Sequence, residues 1–228
     1  MATSGTNAFS LTAREVIHFA LRKINILSGN AADAPEEDTE RARIELNLMM
    51  KGWQRFPSLW RLTNGSQTLT SATASYTLST ALPYRIVSCR YRNTSNIDLP
   101  MVQLTRQEYD DLPIKTAAGL PTQFYFDAQR DAGVLTTWPV LATATTESLK
   151  FTYQRRFEDV TGLTETLDCP PEALEVIGYN LAARIADDFG QAGPHIDRVI
   201  ARAEQMKAEL SDAERPDVIR FLPMATYG

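Results

Sequence analysis

The spacing of apolar residues divides the chain into a helical third, a strand-rich third and a second helical third. In the first third, apolar residues recur every three or four positions, which predicts a helix over residues 11–28 and another from Pro35 to a break at Pro57. Thr12 and Glu15 fit a capping box that opens the first helix, and Gly29 fits its stop. The predicted buried stripes comprise Val16, Ile17, Ala20, Leu21, Ile24 and Leu27, then Ala42, Leu46, Met49, Met50 and Trp53.

The middle third alternates apolar and polar residues with a period of two, which predicts short strands. The first two, 67–70 and 75–78, are expected to pair across a Ser/Ala turn. Thr105 and Glu108 fit a second capping box, opening a short helix that runs through Leu112. Frequent turns between short strands are typical of an antiparallel sandwich or barrel. Further strands are predicted at 84–91, 99–104, 123–127, 134–138 and 149–153.

The last third returns to the helical period. Pro170 and Pro171 precede a predicted helix over 172–189, and Pro194 opens a final helix to about residue 210. Helices at the two ends of a chain bury their apolar stripes most simply against each other. The predicted fold class is therefore α+β, a helical bundle with an inserted antiparallel β-rich domain, sandwich or barrel-like, and an extended C-terminal arm. The expected divisions are 1–60 with 170–213 for the bundle, 61–169 for the insertion and 214–228 for the arm.

Composition supports a folded chain and weakens two classes of function. Hydrophobic residues make up 43% and charged residues 22% of the 228 residues, close to the globular average. The formal net charge of -5 argues against wrapping DNA, because affinity for phosphates comes mainly from Lys and Arg. No apolar run approaches the length of a membrane span, and the polar segment 1–10 does not fit a signal peptide. We expect no membrane partner and assembly in a host cytoplasm.

Residues with catalytic or ligand chemistry are sparse in this sequence. His18 and His195 lack a second histidine at metal-ligand spacing, and Cys89 and Cys169 do not make a disulfide scaffold. We therefore expect no metal, no cofactor and no enzymatic activity. Glu36, Glu37 and Asp38 are typical of a helix N-terminus. The carboxylates that remain for the hypothesis of a hydrolase are Glu108, Asp110 and Asp111.

Three groups of residues, one basic and two apolar, are weighed as candidate contact sites. Arg155 and Arg156 close the last predicted strand, where they fit a contact with DNA phosphates or a neighbouring subunit, or a solvated strand end. Trp53 and Trp60 flank Pro57 and fit the core better than a ligand platform. An apolar tail follows Pro216 and either folds back on its own domain or docks on a partner. It carries Val218, Ile219, Phe221, Leu222 and Tyr227.

Five short motifs occur in a fixed order along the chain, LTRQEYDDL at 104–112, GLPTQFYFD at 119–127, VLTTWP at 134–139, LKFTYQR at 149–155 and PPEALE at 170–175. On these motifs the chain resembles the head-to-tail adaptor family of short-tailed phages, which includes packaged-DNA stabilisation and tail accessory proteins. The resemblance covers about residues 11–210, and its motifs are structural, without a catalytic signature.

The resemblance implies a virion structural protein at the head-to-tail junction. Such a subunit forms a ring, usually a dodecamer, beneath the portal protein, extends the DNA channel and carries the tail or nozzle proteins. Double-stranded DNA would pass the lumen without sequence-specific binding, and the apolar tail of this chain would be the portal-binding arm. Two alternatives stay open: a virion-associated peptidoglycan hydrolase, and a tail-tube or head-closure subunit.

Overall fold

A computed structural model describes residues 5, 9–28, 33–55, 62–79 and 82–213. Within these residues it contains five α-helices and eight β-strands, which confirms the predicted α+β class with helices towards both ends. The chain divides into two compact units. The helical unit comprises the described residues of Met1–Pro57 and Asp159–Gly228, and the β-rich unit those of Ser58–Glu158.

The helical unit is built from four amphipathic helices whose apolar sides meet. They are α1 (Ala13–Lys23), α2 (Glu36–Gly52), α4 (Leu174–Ile185) and α5 (Pro194–Ala213). Helix α4 contacts each of the other three. Its Leu181 and Ile185 are fully buried, as are Leu21 of α1 and Leu46 of α2. Removing these apolar surfaces from water is the main stabilising contribution to the unit.

Helix α1 begins as predicted and ends earlier. Thr12 Oγ1 accepts a hydrogen bond from the Glu15 amide, and the Glu15 carboxylate accepts one from the Thr12 amide, which confirms the capping box. The helix stops at Lys23 because Asn25 adopts a left-handed conformation (φ 60°). The Ile26 and Asn25 amides then donate to Leu21 and Arg22, the pattern of a Schellman motif. The predicted stop at Gly29 was wrong.

The other helix ends differ from the sequence expectations by a few residues. Helix α2 ends at Gly52 and continues as a 3₁₀ turn over Trp53–Arg55, while Pro57 lies outside the described residues. A second 3₁₀ turn, Pro171–Ala173, occupies the first residues expected for α4. A proline ring fits a first helical turn without losing a hydrogen bond, which accounts for this start.

The β-rich unit is a pair of four-stranded sheets packed face to face. The first sheet has the order β1-β8-β3-β4 and the second β2-β7-β6-β5, and neither closes into a barrel among the described strands. All described pairs are antiparallel except β5 with β6. The strands are β1 (Leu62–Thr68), β2 (Ser75–Leu78), β3 (Pro83–Arg92), β4 (Asp98–Pro100), β5 (Val102–Leu104), β6 (Gln123–Ala128), β7 (Gly133–Trp138) and β8 (Ser148–Arg155).

Side chains from both sheets fill the space between them. Leu149 and Phe151 of the first sheet and Phe124 and Leu135 of the second are almost completely buried in one cluster. The short helix α3 (Arg106–Asp110) lies between β5 and β6 in the chain and is opened by the predicted Thr105 capping box. Its residues are not buried, so the core of this unit depends on the sheets.

The predicted pairing of the first two strands was wrong. Strand β1 pairs with β8 in the first sheet, whereas β2 pairs with β7 in the second. The chain crosses between the sheets after Thr68, and the Tyr76 hydroxyl donates a hydrogen bond to the Thr73 carbonyl (2.9 Å) in this crossing. The single strand expected at 99–104 is in fact two strands, β4 and β5, separated by Met101. Strand β4 belongs to the first sheet and β5 to the second.

Candidate functional site

The predicted portal-binding arm, Val218, Ile219, Phe221, Leu222 and Tyr227, lies outside the described residues, and so does Trp60. Trp53 is half-buried in the 3₁₀ turn that follows α2. The Lys207 ammonium lies 5.6 Å from the centre of its ring, a cation–π contact between α5 and the end of α2. Trp53 therefore packs within the helical unit.

Arg155 and Arg156 make contacts within the β-rich unit. Both terminal nitrogens of Arg156 donate to backbone carbonyls, those of Gln129 and Arg130, at 2.9 Å. Arg155 lies 3.9 Å from the Glu158 carboxylate. The guanidinium of Arg156 thus closes the turn between β6 and β7, and a contact of either residue with DNA or a neighbouring subunit stays a prediction.

The two histidines occupy separate positions in the helical unit. His18 is buried on α1, its Nε2 3.0 Å from the Asp33 carboxylate, and burial is the main cause that lowers its pKa. His195 Nε2 lies 2.7 Å from the Lys23 carbonyl. Among the described residues, no group of three or more His, Cys, Asp or Glu side chains is arranged to hold a metal ion.

The carboxylates that a hydrolase would need are bound by their own neighbours. The Thr105 backbone amide and hydroxyl donate to Glu108, and these bonds hold the pKa of Glu108 below its ordinary value. A glycosidase acid needs a raised pKa, the opposite direction. Asp110 accepts a hydrogen bond from Arg106 one turn away (3.0 Å). The geometry gives these two carboxylates structural partners at the ends of α3.

The outward side of the first sheet carries a group of polar side chains, here called the polar sheet face. Register places three rows across β1, β8 and β3, each contributing hydroxyl, amide or cationic side chains. Arg92 binds Asp98 through two hydrogen bonds, and Lys150 donates to the Ser66 hydroxyl (2.7 Å). The hydrogen bonds from Arg92 lower the pKa of Asp98, and the charges of Arg90 and Lys150 act in the same direction. The face comprises Asn64, Ser66, Thr68, Ser88, Arg90, Arg92, Ser148, Lys150 and Thr152.

The solvent side of α2 carries an apolar pair that the sequence analysis missed. Ile44 and Leu48 are 49% and 52% exposed, one helical turn apart. A rotation of 100° per residue places them opposite the buried positions Ala42, Leu46 and Met49. The signal was present in the sequence as two apolar residues outside the predicted stripe. An exposed apolar pair on a charged helix is a candidate contact surface.

An apolar groove opens elsewhere on the helical unit. It is bounded by the N-terminal segment, α1 and the start of α4, and its volume is about 150 Å³. Phe9 lies at its rim with 63% of its surface exposed, and Glu175 is the charged residue that lines it. The full lining is Phe9, Leu11, Val16, Phe19, Pro171, Leu174 and Glu175.

The two units differ in charge. Met1–Pro57 with Asp159–Gly228 contains 13 Lys and Arg and 20 Asp and Glu, a formal net charge of −7. Ser58–Glu158 contains 10 and 8, a formal net charge of +2. The acidic balance of the chain therefore comes entirely from the helical unit.

No helix among the described residues combines the length and the apolar content that a membrane crossing requires. No protein-family model and no curated protein matches the sequence.

Chains from solved gene transfer agent (GTA) particles are similar to this one over most of their length. A chain in the neck of an empty GTA particle, computed with C6 symmetry, aligns with 78% of this chain and 83% of its own, at 13% identity and a TM-score of 0.31. One in the virion of a native GTA particle aligns over 89% and 91%, at 15% identity and a TM-score of 0.32. One in the neck of a native particle, computed with C12 symmetry, aligns over 84% and 93%, at 13% identity and a TM-score of 0.27. Scores this low do not establish a shared fold, so the function of this chain is inferred from its own residues.

Proposed function

We propose that this protein is a structural subunit of a phage virion, a head-to-tail adaptor that assembles into a ring beneath the portal protein. The observation that carries the proposal is the division of charge, −7 on the helical unit and +2 on the β-rich unit. The motif order from residue 104 to residue 175, which resembles that of adaptor proteins, points to the same role.

A divided charge suits a subunit that joins copies of itself around DNA. Closed rings use a heterologous contact, in which each subunit offers two different faces. In this proposal the acidic helical units surround the channel, where they repel the DNA backbone and leave it free to slide.

The partners follow from the proposed position. Residues 214–228 dock on the portal protein through Val218, Ile219, Phe221, Leu222 and Tyr227, because an apolar arm gains most by leaving water on a partner surface. The opposite side of the ring receives the tail or nozzle proteins. Double-stranded DNA passes without sequence-specific contact.

Co-sedimentation with the purified portal protein of the same virus tests the proposal. We expect a joint complex of the full chain with the portal, of fixed stoichiometry, and its loss in a chain that ends at Ala213. If the full chain forms no joint complex with the portal, even at concentrations well above those at which the chain assembles with itself, the adaptor role is contradicted.

Two further measurements separate the alternatives. A symmetry-resolved electron cryomicroscopy map of the particle should locate the subunit directly beneath the portal. A position along a tail tube would favour the hypothesis of a tail-tube or head-closure subunit. A peptidoglycan zymogram should show no cleared band. A band that disappears in Glu108→Gln or Asp110→Asn would replace the proposal with a hydrolase.

A further inference from the structure

The apolar pair on α2 lies on the side of the helix that is turned away from the other described helices of its unit. Helix α2 turns its buried side, which includes Ala42 and Leu46, toward α1 and α4. Ile44 and Leu48 lie on the opposite side of the helix and leave about half of their surface in water. They therefore point away from the groove that α1 and α4 form in the same chain.

The groove matches the pair in size and in chemistry. A cavity of about 150 Å³ lined by aliphatic and aromatic side chains accepts a benzene-sized apolar group, which is comparable to one Leu or Ile side chain. The exposed ring of Phe9 at the rim offers a second apolar surface beside it. One member of an α2 pair can enter the groove while the other covers Phe9.

Charge at the two surfaces is also complementary. Arg41 lies one turn before Ile44 on the exposed side of α2 and packs over the Phe189 ring at 5.5 Å. Glu175 lines the groove, and the exposed Glu172 lies one turn before it. Two acids lie on the same side of α2, Glu40, which accepts two hydrogen bonds from Arg43, and Glu37, which is exposed one turn before Arg41. The α2 side thus carries Arg41 with Glu37, and the groove side carries Glu172 and Glu175 with Lys23, whose ammonium lies 4.8 Å from the centre of the Phe19 ring.

We infer that the Ile44–Leu48 pair of one copy occupies the Phe9–Leu174 groove of a second copy of this chain, with Arg41 beside Glu175. The contact is heterologous, since each copy contributes its α2 pair to one neighbour and its groove to the other. Repetition of such a contact produces a closed ring or an open filament. The inference rests on the proposed ring function and identifies the surface by which the ring is built.

Cysteine cross-linking tests the contact directly. The double variant Phe9→Cys with Leu48→Cys, mixed with the purified portal protein and treated with a short bis-maleimide, should give a ladder of covalent oligomers of increasing copy number. Burial raises the pKa of both native cysteines, Cys89 and Cys169, to about 12, so they contribute little reactive thiolate near neutral pH.

Matched controls separate this contact from other arrangements. Phe9→Cys with Ile200→Cys places the second thiol on a different exposed apolar residue of the same unit and should give no ladder. A single band of dimer from Leu48→Cys alone would indicate a symmetric α2–α2 contact and overturn the inference. A ladder of equal strength in the control, or monomers only, would do the same.

The same mixtures distinguish this inference from the proposed function. A joint complex with the portal but no ladder would leave the adaptor role standing and remove the α2 contact. A ladder without a joint complex would leave the contact standing and remove the adaptor role. If neither the joint complex nor the ladder forms, the adaptor role and the α2 contact are both contradicted.

Charge and polarity variants test the energetic side of the contact. Leu48→Asp should lower the assembled fraction at a fixed concentration by about tenfold or more, whereas Val102→Asp, at an exposed position of the β-rich unit, should not. Arg41→Glu and Glu175→Arg should each weaken assembly by about two- to fivefold, and the double variant should restore it. A double variant no better than the singles would contradict the assigned pairing.

Discussion

The helical unit and the β-rich unit bury their apolar residues in different ways. In the helical unit each helix contributes one apolar stripe. The stripe of α4, which includes the fully buried Leu181, belongs to a helix that packs against three others. In the β-rich unit the burial comes from alternate positions of two facing sheets, and Leu135 and Phe151 belong to one buried cluster to which both sheets contribute. The difference extends to the surface, where the helices keep the Ile44–Leu48 pair exposed while the first sheet presents the polar sheet face. Exposed apolar residues also occur in the β-rich unit outside that face, among them Val102 and Ile114.

The largest effect is expected from truncating one core residue in each unit. Leu181→Ala and Leu135→Ala both remove a fully buried side chain and should lower the free energy of unfolding by about 2–5 kcal/mol. Urea unfolding followed by far-ultraviolet circular dichroism and by tryptophan fluorescence measures both. If the units unfold separately, each variant should shift a different transition. A common shift of one transition in both variants would show that the units unfold as one.

The helical periods and the local caps were predictable from sequence because they depend on residues close together in the chain. The α1 stripe and the capping boxes at Thr12 and Thr105 are of this kind. The end of α1 was missed because Asn25, a less common left-handed residue than glycine, supplies the stop.

Sheet membership could not be predicted in the same way. The alternation of apolar and polar residues predicts which side of a strand is buried, but it does not predict which strand lies beside it in the sheet. The pairing of β1 with β8 joins residues more than eighty positions apart, as Leu62 with Gln154. The α2 pair was missed for a different reason, since Ile44 and Leu48 lie outside the predicted stripe and single apolar residues are common on protein surfaces.

Two glycines that contact aromatic rings, one in each unit, allow the packing of the two units to be compared through smaller changes in stability. A Cβ on Gly65 would lie 2.4 Å from the ring of Phe151, which is buried between the sheets and cannot move away. A Cβ on Gly178 would lie 2.5 Å from the ring of Phe19, which is only partly buried. Gly65→Ala should therefore cost about 1–3 kcal/mol of unfolding free energy.

Gly178→Ala should cost less than Gly65→Ala, because alanine favours a helix over glycine by about 1 kcal/mol and offsets part of the clash. Thermal and urea unfolding of the two variants measure the difference. An equal or larger loss for Gly178→Ala would mean that the Phe19 ring is as tightly held as the sandwich core.

The two capping boxes allow the same comparison at the level of local structure. Thr12→Ala removes the cap of α1, a helix whose apolar stripe is buried, and should destabilise the helical unit by about 1 kcal/mol. Thr105→Ala removes the cap of α3, which has no buried residue, and should leave the global unfolding midpoint nearly unchanged. Hydrogen exchange should instead show faster exchange of the α3 amides alone. Global destabilisation by Thr105→Ala would show that α3 supports the sandwich.

The smallest effects are expected at acid pH, where each unit has an aspartate whose pKa is lowered by hydrogen bonds from an arginine. Hydrogen bonds from Arg14 lower the pKa of Asp33 in the helical unit, and those from Arg92 lower the pKa of Asp98 in the β-rich unit. A carboxyl group whose folded pKa is depressed stabilises the fold above its unfolded pKa of about 3.9, and this stabilisation is lost as the pH falls through the folded value. Asp33→Asn and Asp98→Asn should therefore reduce stability at neutral pH and flatten its decline below about pH 4. Urea midpoints measured from pH 7 to pH 2 test both, and an unchanged acid slope in either variant would show that its ion pair contributes nothing to that unit, as exposed pairs often do not.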